Sequence, residues 1–186
     1  MSGRAKWTSS TPGAYAPSPR VRFMYDANDL APITHPGNAL SASQHWTPKS
    51  ELIDALGHTV RTVERITILT PAGNGAAIVH ENDVVMRYAY DIKGQLLEVR
   101  DPLDRVCFEH KYDTAGNNLW TKHLDSGVKT LAVDAQGKPL YSSDAKGAAV
   151  YTAYDDLHRP TDIWAKDSST SSEPTLRQHM LYGDSS

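Results

Sequence analysis

Eight histidines, at positions 35, 45, 58, 80, 110, 123, 158 and 179, stand among 22 acidic residues and could in principle bind a metal or relay protons. Two imidazoles or thiolates usually meet one ion through spacings such as H-x-x-x-H or C-x-x-C. Neither spacing occurs, so His35, His45, His58, His80, His110, His123, His158 and His179 read as scattered surface side chains. Asp101 with Asp104, and Asp155 with Asp156, offer hard oxygen ligands. A calcium loop needs several more acidic or carbonyl ligands at fixed spacing, whereas turn-forming aspartates account for these pairs without an ion. Gly73-Asn74-Gly75 lacks the following Lys-Ser/Thr and helix that would cradle a phosphate. Cys107 has no second cysteine to pair with, and its place between strand residues reads as a small packed apolar group rather than a nucleophile. These residues therefore predict no catalytic site, no metal and no cofactor.

What does recur is a phrase of turn chemistry: Tyr90-Asp91-Ile92-Lys93-Gly94, Tyr112-Asp113-Thr114-Ala115-Gly116, Val133-Asp134-Ala135-Gln136-Gly137 and Tyr154-Asp155-Asp156-Leu157-His158. The aspartates are spaced 22, 21 and 21 residues apart, and self-similarity at such a period marks a stack of small units. An offset phrase, Asp101-Pro102-Leu103-Asp104 and Asp144-Ala145-Lys146-Gly147, begins ten residues after a main aspartate. Leu124-Asp125-Ser126-Gly127 reads as the same phrase between them. Each period thus holds two turns and two short segments, the size of a β-hairpin. An aspartate opening a turn folds its carboxylate onto a backbone N–H two residues on, and glycine accepts the positive φ that a Cβ resists. Gly94, Gly116 and Gly137 are expected to hold that conformation.

The segments between the turns alternate with period two, as a half-buried strand does. Val84, Met86, Tyr88 and Tyr90 fall on one face, with Val85, Arg87, Ala89 and Asp91 on the other. Val106, Phe108, His110 and Tyr112 alternate likewise with Cys107, Glu109, Lys111 and Asp113. Ala149 to Tyr154 is strand-like through its β-branched and aromatic content. The fold class predicted is all-β, an antiparallel hairpin repeat array. Its structural repeat positions are Tyr90, Asp91, Gly94, Tyr112, Asp113, Gly116, Asp134, Gly137, Asp144, Gly147, Tyr154 and Asp155.

Those phrases resemble the Rhs or YD-repeat proteins of bacteria. The nearest likeness is to the stretch of toxin-complex B-type and SpvB-like subunits that runs into the repeat shell. The resemblance rests on Tyr25-Asp26-Ala27-Asn28-Asp29-Leu30, on Leu52-Ile53-Asp54-Ala55-Leu56-Gly57, and on the passage from Arg87 to Gly183, which closes with Leu181-Tyr182-Gly183. It covers roughly four-fifths of the chain, and a repeated motif is more specific than a single match. It implies a β-sheet ribbon forming an arc of a larger hollow shell around a toxic polypeptide, secreted or held at the cell surface within an insecticidal or other virulence assembly. The implied partners are flanking YD repeats or a partner shell subunit, and the enclosed toxin. Departures are His158 in place of glycine, Val133 in place of tyrosine, and 37 residues between Asp54 and Asp91. The family's self-cleaving C-terminal segment and variable toxin have no counterpart here, so the chain reads as wall.

Composition agrees. Counting glycine in place of tyrosine turns the 39% hydrophobic content into about 41%, below the roughly 45–50% usual for globular chains, which predicts a modest core. A net charge of −3 without a basic cluster excludes a nucleic-acid footprint. No apolar run approaches the ~18 residues that span a bilayer. Residues 1–19 are rich in Ser, Thr, Pro, Gly and Ala, lack the apolar stretch of a secretory signal peptide and read as a flexible segment. Residues 20–83 read as an irregular β region with long loops, and 84–186 as the YD-repeat array. Thr47 to Gly57 has helix caps, with Thr47 before Pro48 and Gly57 at the end. The alternating run Thr59 to Leu69 favours instead a strand over Lys49 to Ile53, a turn over Asp54 to Gly57, and a hairpin with that run. The loop Pro71-Ala72-Gly73-Asn74-Gly75 is expected to absorb the longer period.

Two functions of different class follow. One is a noncatalytic wall segment that encapsulates a polypeptide. The other is an adhesion or ligand-binding β-module using exposed tyrosines and Trp7, Trp46, Trp120 and Trp164, although aromatics on a sheet commonly fill cross-strand pairs.

Overall fold

The computed structural model describes residues 17–30, 34, 47–71, 77–168, 170 and 173–183. Its elements are strands: β1 (Val21–Met24), β2 (Lys49–Ile53), β3 (Thr59–Pro71), β4 (Ala77–Tyr90), β5 (Leu96–Arg100), β6 (Val106–Tyr112), β7 (Asn118–His123), β8 (Gly127–Val133), β9 (Pro139–Ser143), β10 (Ala149–Tyr154), β11 (Pro160–Lys166) and β12 (Thr175–His179). They form one open twelve-stranded sheet in chain order, as consecutive antiparallel hairpins require. The all-β hairpin array read from the alternation is the observed fold. The segment Lys49–Ile53 is a strand and not a helix, because Ser50, Glu51 and Leu52 pair with Val63, Thr62 and Arg61.

The 37-residue interval between Asp54 and Asp91 requires a correction. Its extra length lies mainly in the strands: β3 and β4 remain in register from Arg61↔Arg87 to Pro71↔Ala77. The β-branched run starting at Thr59 keeps finding partners, so the hairpin lengthens where a long loop was expected. Positions 72–75 of that loop, residues 1–16 of the expected flexible segment, and His35, His45, Trp7 and Trp46 lie outside the described residues.

The chain divides into two compact units, 1–89 with 100–105 and 90–99 with 106–186. In the first, β1 to β4 surround a polar hub. Asp29 is buried, and its carboxylate accepts the Thr47 N–H at 2.6 Å, the Thr47 hydroxyl at 3.1 Å and the Asp26 N–H at 3.0 Å. The Arg65 guanidinium donates to the Pro48 carbonyl and to Ser50 Oγ, and its Cζ lies 5.9 Å from the Phe23 ring centroid. A buried carboxylate supplied with donors in this way avoids the cost of desolvation.

In the second unit, β6 to β12 form a meander with a bulge just before each main aspartate, at Lys111/Tyr112, Ala132/Val133 and Ala153/Tyr154. Each bulge puts an extra residue on the partner strand and turns the residue before the aspartate toward the preceding turn. Among the described residues the buried apolar set is Pro48, Val63, Val99 and Ala149. Most other strand side chains are half-buried on both faces, so backbone pairing and turn chemistry carry much of the specificity.

Candidate functional site

Among the described residues one local structure occurs seven times, opened by Asp54, Asp91, Asp101, Asp113, Asp134, Asp144 and Asp155. In each turn the aspartate N–H donates to the carbonyl of the fourth residue on, at 2.9–3.0 Å, and its carbonyl accepts the N–H of the third, at 2.8–3.3 Å. The carboxylate Oδ1 accepts the N–H of the fourth residue at 2.8–3.0 Å. In six of the turns it also accepts the N–H of the second residue, at 2.8–3.0 Å. Aspartate suits the position because its short side chain brings one oxygen within reach of both amides.

The third residue after the aspartate is left-handed in every case: Gly57 (φ 92°), Gly94 (81°), Asp104 (62°), Gly116 (96°), Gly137 (81°), Gly147 (80°) and His158 (58°). Asp104 and His158 accept a conformation that favours glycine. Each has charged partners. Asp104 lies 3.2 Å from the Arg87 guanidinium and 3.7 Å from that of Arg100, and His158 Nδ1 lies 3.7 Å from Asp134.

Within the second unit, the turns after Asp91, Asp113, Asp134 and Asp155 share one end of the strands and stack. The fourth residue of each turn meets the third residue of the next. A Cβ on Gly116 would lie 3.2 Å from the Gln95 side-chain nitrogen, one on Gly137 would lie 3.5 Å from Asn117 Oδ1, and Lys138 Nζ donates to the His158 carbonyl. Lys93 Nζ also donates across the stack, to Thr114 O at 3.2 Å.

Tyrosines fasten one turn to the preceding one. Tyr112 donates its hydroxyl to the Leu96 carbonyl at 3.0 Å, Tyr154 to that of Pro139 at 3.0 Å, and Tyr182 to that of Pro160 at 2.8 Å. Each acceptor is the fifth residue after the previous aspartate. Lys138 Nζ lies 5.5 Å from the Tyr154 ring centroid, and Arg159 Cζ lies 4.1 Å from that of Tyr182, so the cation beside one carboxylate covers the next tyrosine. Val133 occupies the tyrosine position of the third phrase and has no hydroxyl to donate.

The carboxylates are tuned by these contacts. Asp113 falls below its ordinary 3.8, chiefly because the Asn117 side-chain amide and N–H donate to it. Asp134 and Asp155 are lowered first by the N–H of Lys138 and of Arg159. At Asp54 and Asp101 burial pushes upward, but donors from His58 and Arg105 outweigh it and the net shift is downward. Burial, followed by the Asp91 charge, raises the Tyr112 phenol above 10.0.

The β7–β8 connection departs from the repeat. Asp125, read from the sequence as its turn aspartate, does not cap it; His123 does. The His123 Nδ1 accepts the N–H of Asp125 at 3.2 Å and of Ser126 at 3.1 Å, and the left-handed residue is Gly127 (φ 75°). This link is shifted by one residue relative to the aspartate turns, so Asp125 stands where an aspartate turn would have its second residue.

The other described histidines whose side chains are placed serve the fold as well. His58 pairs with Asp54 at 3.0 Å, His110 with Thr121 at 3.1 Å, and His179 with Asp162 at 2.6 Å. The His179 contact, ahead of burial, lowers Asp162. No three groups that could ligate a metal converge among the described residues. Two open clefts of similar size lie among the described residues. One, of about 510 Å³, includes Trp120, Thr130, Ser143, Ala149 and Lys166 in its lining; the other, of about 530 Å³, includes Asp26, Asp29, Lys49, Glu64 and Arg65. Neither assembles a nucleophile with a base.

No protein-family model matches the sequence, and no curated protein matches it. Solved structures do match. A Tc holotoxin pore from Photorhabdus luminescens with mutated TccC3 aligns at 21% identity and a TM-score of 0.72, covering 89% of this chain and 8% of that one. TcdB2-TccC3 without its hypervariable C-terminal region aligns at 21% identity and 0.70, covering 91% and 8%. TcdB2-TccC3 itself gives 21% and 0.70, covering 89% and 8%. The likeness establishes the fold, and the chain spans about 8% of the length of the chains it matches.

Proposed function

We propose that this chain is a noncatalytic wall segment of a YD-repeat shell of the toxin-complex kind, which encloses a toxic polypeptide and works outside the cell within a larger assembly. The observation that carries the reading is the turn-to-turn stack. Gln95 packs on Gly116, Asn117 on Gly137 and Lys138 on His158, the same pair of positions each time, so one unit is built to receive the next. The likeness in fold to TcdB2-TccC3 structures supports it. So does the use of the placed histidines in turns and cross-strand pairs. The partners are further YD repeats or a shell subunit, and the enclosed chain. No helix among the described residues is long and apolar enough to cross a membrane. The adhesion reading needs tyrosines that present their hydroxyls outward, whereas Tyr112, Tyr154 and Tyr182 donate theirs back into the fold.

The test joins the chain to further YD repeats and a reporter polypeptide. The chain by itself should self-associate through its outer strands. The extended assembly should be monodisperse and shield the reporter from protease. A single-chain monomer that melts cooperatively above ~60 °C, or a reporter digested equally fast with and without the repeats, overturns the reading. Glycan binding lost in Tyr112→Ala without loss of stability favours adhesion instead.

A further inference from the structure

We propose that the β7–β8 turn is a pH-responsive element of the sheet, with His123 as its sensor. Among the described residues, seven turns hold their amides with a carboxylate. The turn over 124–126 holds two amides with a ring nitrogen. To accept the N–H groups of Asp125 and Ser126, Nδ1 must carry a lone pair, so the ring is neutral and bears its proton on Nε2. An imidazole ordinarily takes up its second proton near pH 6.5. That proton goes to Nδ1, turns the acceptor into a donor, and sets an N–H against two N–H groups 3.1 and 3.2 Å away. The cap is present with the neutral ring and lost as pH falls through the imidazole range.

The surroundings leave few other ways to hold the turn. The Phe108 ring of β6 meets the His123 ring edge-on at 4.4 Å, with no acceptor to offer, and Leu124 N donates to the Cys107 carbonyl at 2.9 Å. The titratable or charged groups around His123 are His110 and Glu109 on β6, Lys122 on its own strand, Lys129 on β8 and Asp125 in the turn. His110 stacks with Phe108 at 6.1 Å, and Lys129 lines a small cavity of about 160 Å³ with His123 and Phe108. Glu109 and Lys122 pair with each other one residue along from Phe108 and His123, and so lie on the opposite face of the sheet from the ring. The Ala145 side chain fills the space where a Cβ of Gly127 would stand, so the turn cannot relax toward that neighbour without displacing it. Loss of the cap therefore loosens the link locally. The inference rests on this hydrogen-bond geometry and stands whether or not the wall reading does.

The test is nuclear magnetic resonance on the whole chain between pH 8 and 5, following the imidazole nitrogens together with the amides of Asp125 and Ser126. At pH 8 the His123 Nδ1 should be unprotonated. As it protonates, both amides should shift with the same midpoint, and their protection against exchange, corrected for intrinsic rate, should fall roughly tenfold, as loss of their hydrogen bonds implies. In His123→Asp, which restores the acceptor of the other turns, both amides should be insensitive over this range. His123→Asn supplies a second acceptor that does not titrate, should the carboxylate variant fail to fold. A proton on Nδ1 at pH 8, amides that do not follow the ring, or an equal response in the variants overturns the proposal.

Discussion

The turns at the two ends of β7, over residues 113–117 and 124–126, both link antiparallel strands, yet they are closed by different chemistry. At one end Asp113 accepts the Asn117 N–H and side-chain amide at 2.8 Å each, and Gly116 is the left-handed residue. At the other, His123 accepts two amides at 3.1 and 3.2 Å, and the left-handed residue comes one position later, at Gly127. A reversal here needs only a two-amide acceptor and one residue at positive φ. The choice of acceptor then sets the pH at which the turn fails.

Acid gives the largest test of that difference. Asp113, Asp134 and Asp155 are lowered in the folded chain, so the folded state binds fewer protons than the unfolded one. Their contribution to stability is complete above the unfolded value of 3.8 and is lost as pH falls below it. Circular dichroism should show global unfolding in that lower range, well separated from the local event at His123. A single transition in which the aspartate turns and the β7–β8 link are lost together would break the distinction.

Tyr112→Ala should follow in size, costing about 3 kcal/mol in chemical denaturation, since it removes a half-buried ring. Tyr112→Phe should cost about 1 kcal/mol for the hydroxyl bond to Leu96. Val133→Tyr introduces a hydroxyl where the third phrase lacks one, and should gain up to about 1 kcal/mol. No gain there would mean that the tyrosine bond depends on neighbours peculiar to the other repeats.

Backbone conformation and stacking can be separated at two glycines. Gly116→Val should cost about 1–3 kcal/mol, because its φ of 96° is strained for valine and its Cβ meets Gln95. Gly57→Val shares the strain at φ 92° but meets nothing within 4 Å, and should cost the lower end of that range. Equal losses would show that the stack contributes nothing. The smallest effect is expected for His158→Gly, a gain of up to about 1 kcal/mol as strain is relieved, reduced by the lost contact with Asp134.

The turns were legible in the sequence because their chemistry is local: the aspartate, the amides it binds and the glycine lie within five residues. Asp91, Asp113, Asp134, Asp144 and Asp155 stand at turns for that reason. The long β3–β4 hairpin was less legible, since Pro71 and the glycines after it mark a loop without saying how far the flanking strands pair. His123 was hidden by Asp125, a better turn former on composition, two residues away. Which residues receive the hydroxyls of Tyr112, Tyr154 and Tyr182 could not be read, because the acceptors are carbonyls, identical in every residue. His158 looked like a departure from the glycine rule, whereas its backbone keeps the rule, as that of Asp104 does.

Those carbonyl partners have a consequence for how such a chain can change over generations. The hydrogen bonds that tie one turn to the next have the main chain on one side, phenol to carbonyl and ammonium to carbonyl. A substitution in one unit therefore demands no matching substitution in the next, and each unit can drift independently while the backbone path is kept. Paired substitutions should be rare along the array, and overall likeness between two such chains should erode long before their architecture does.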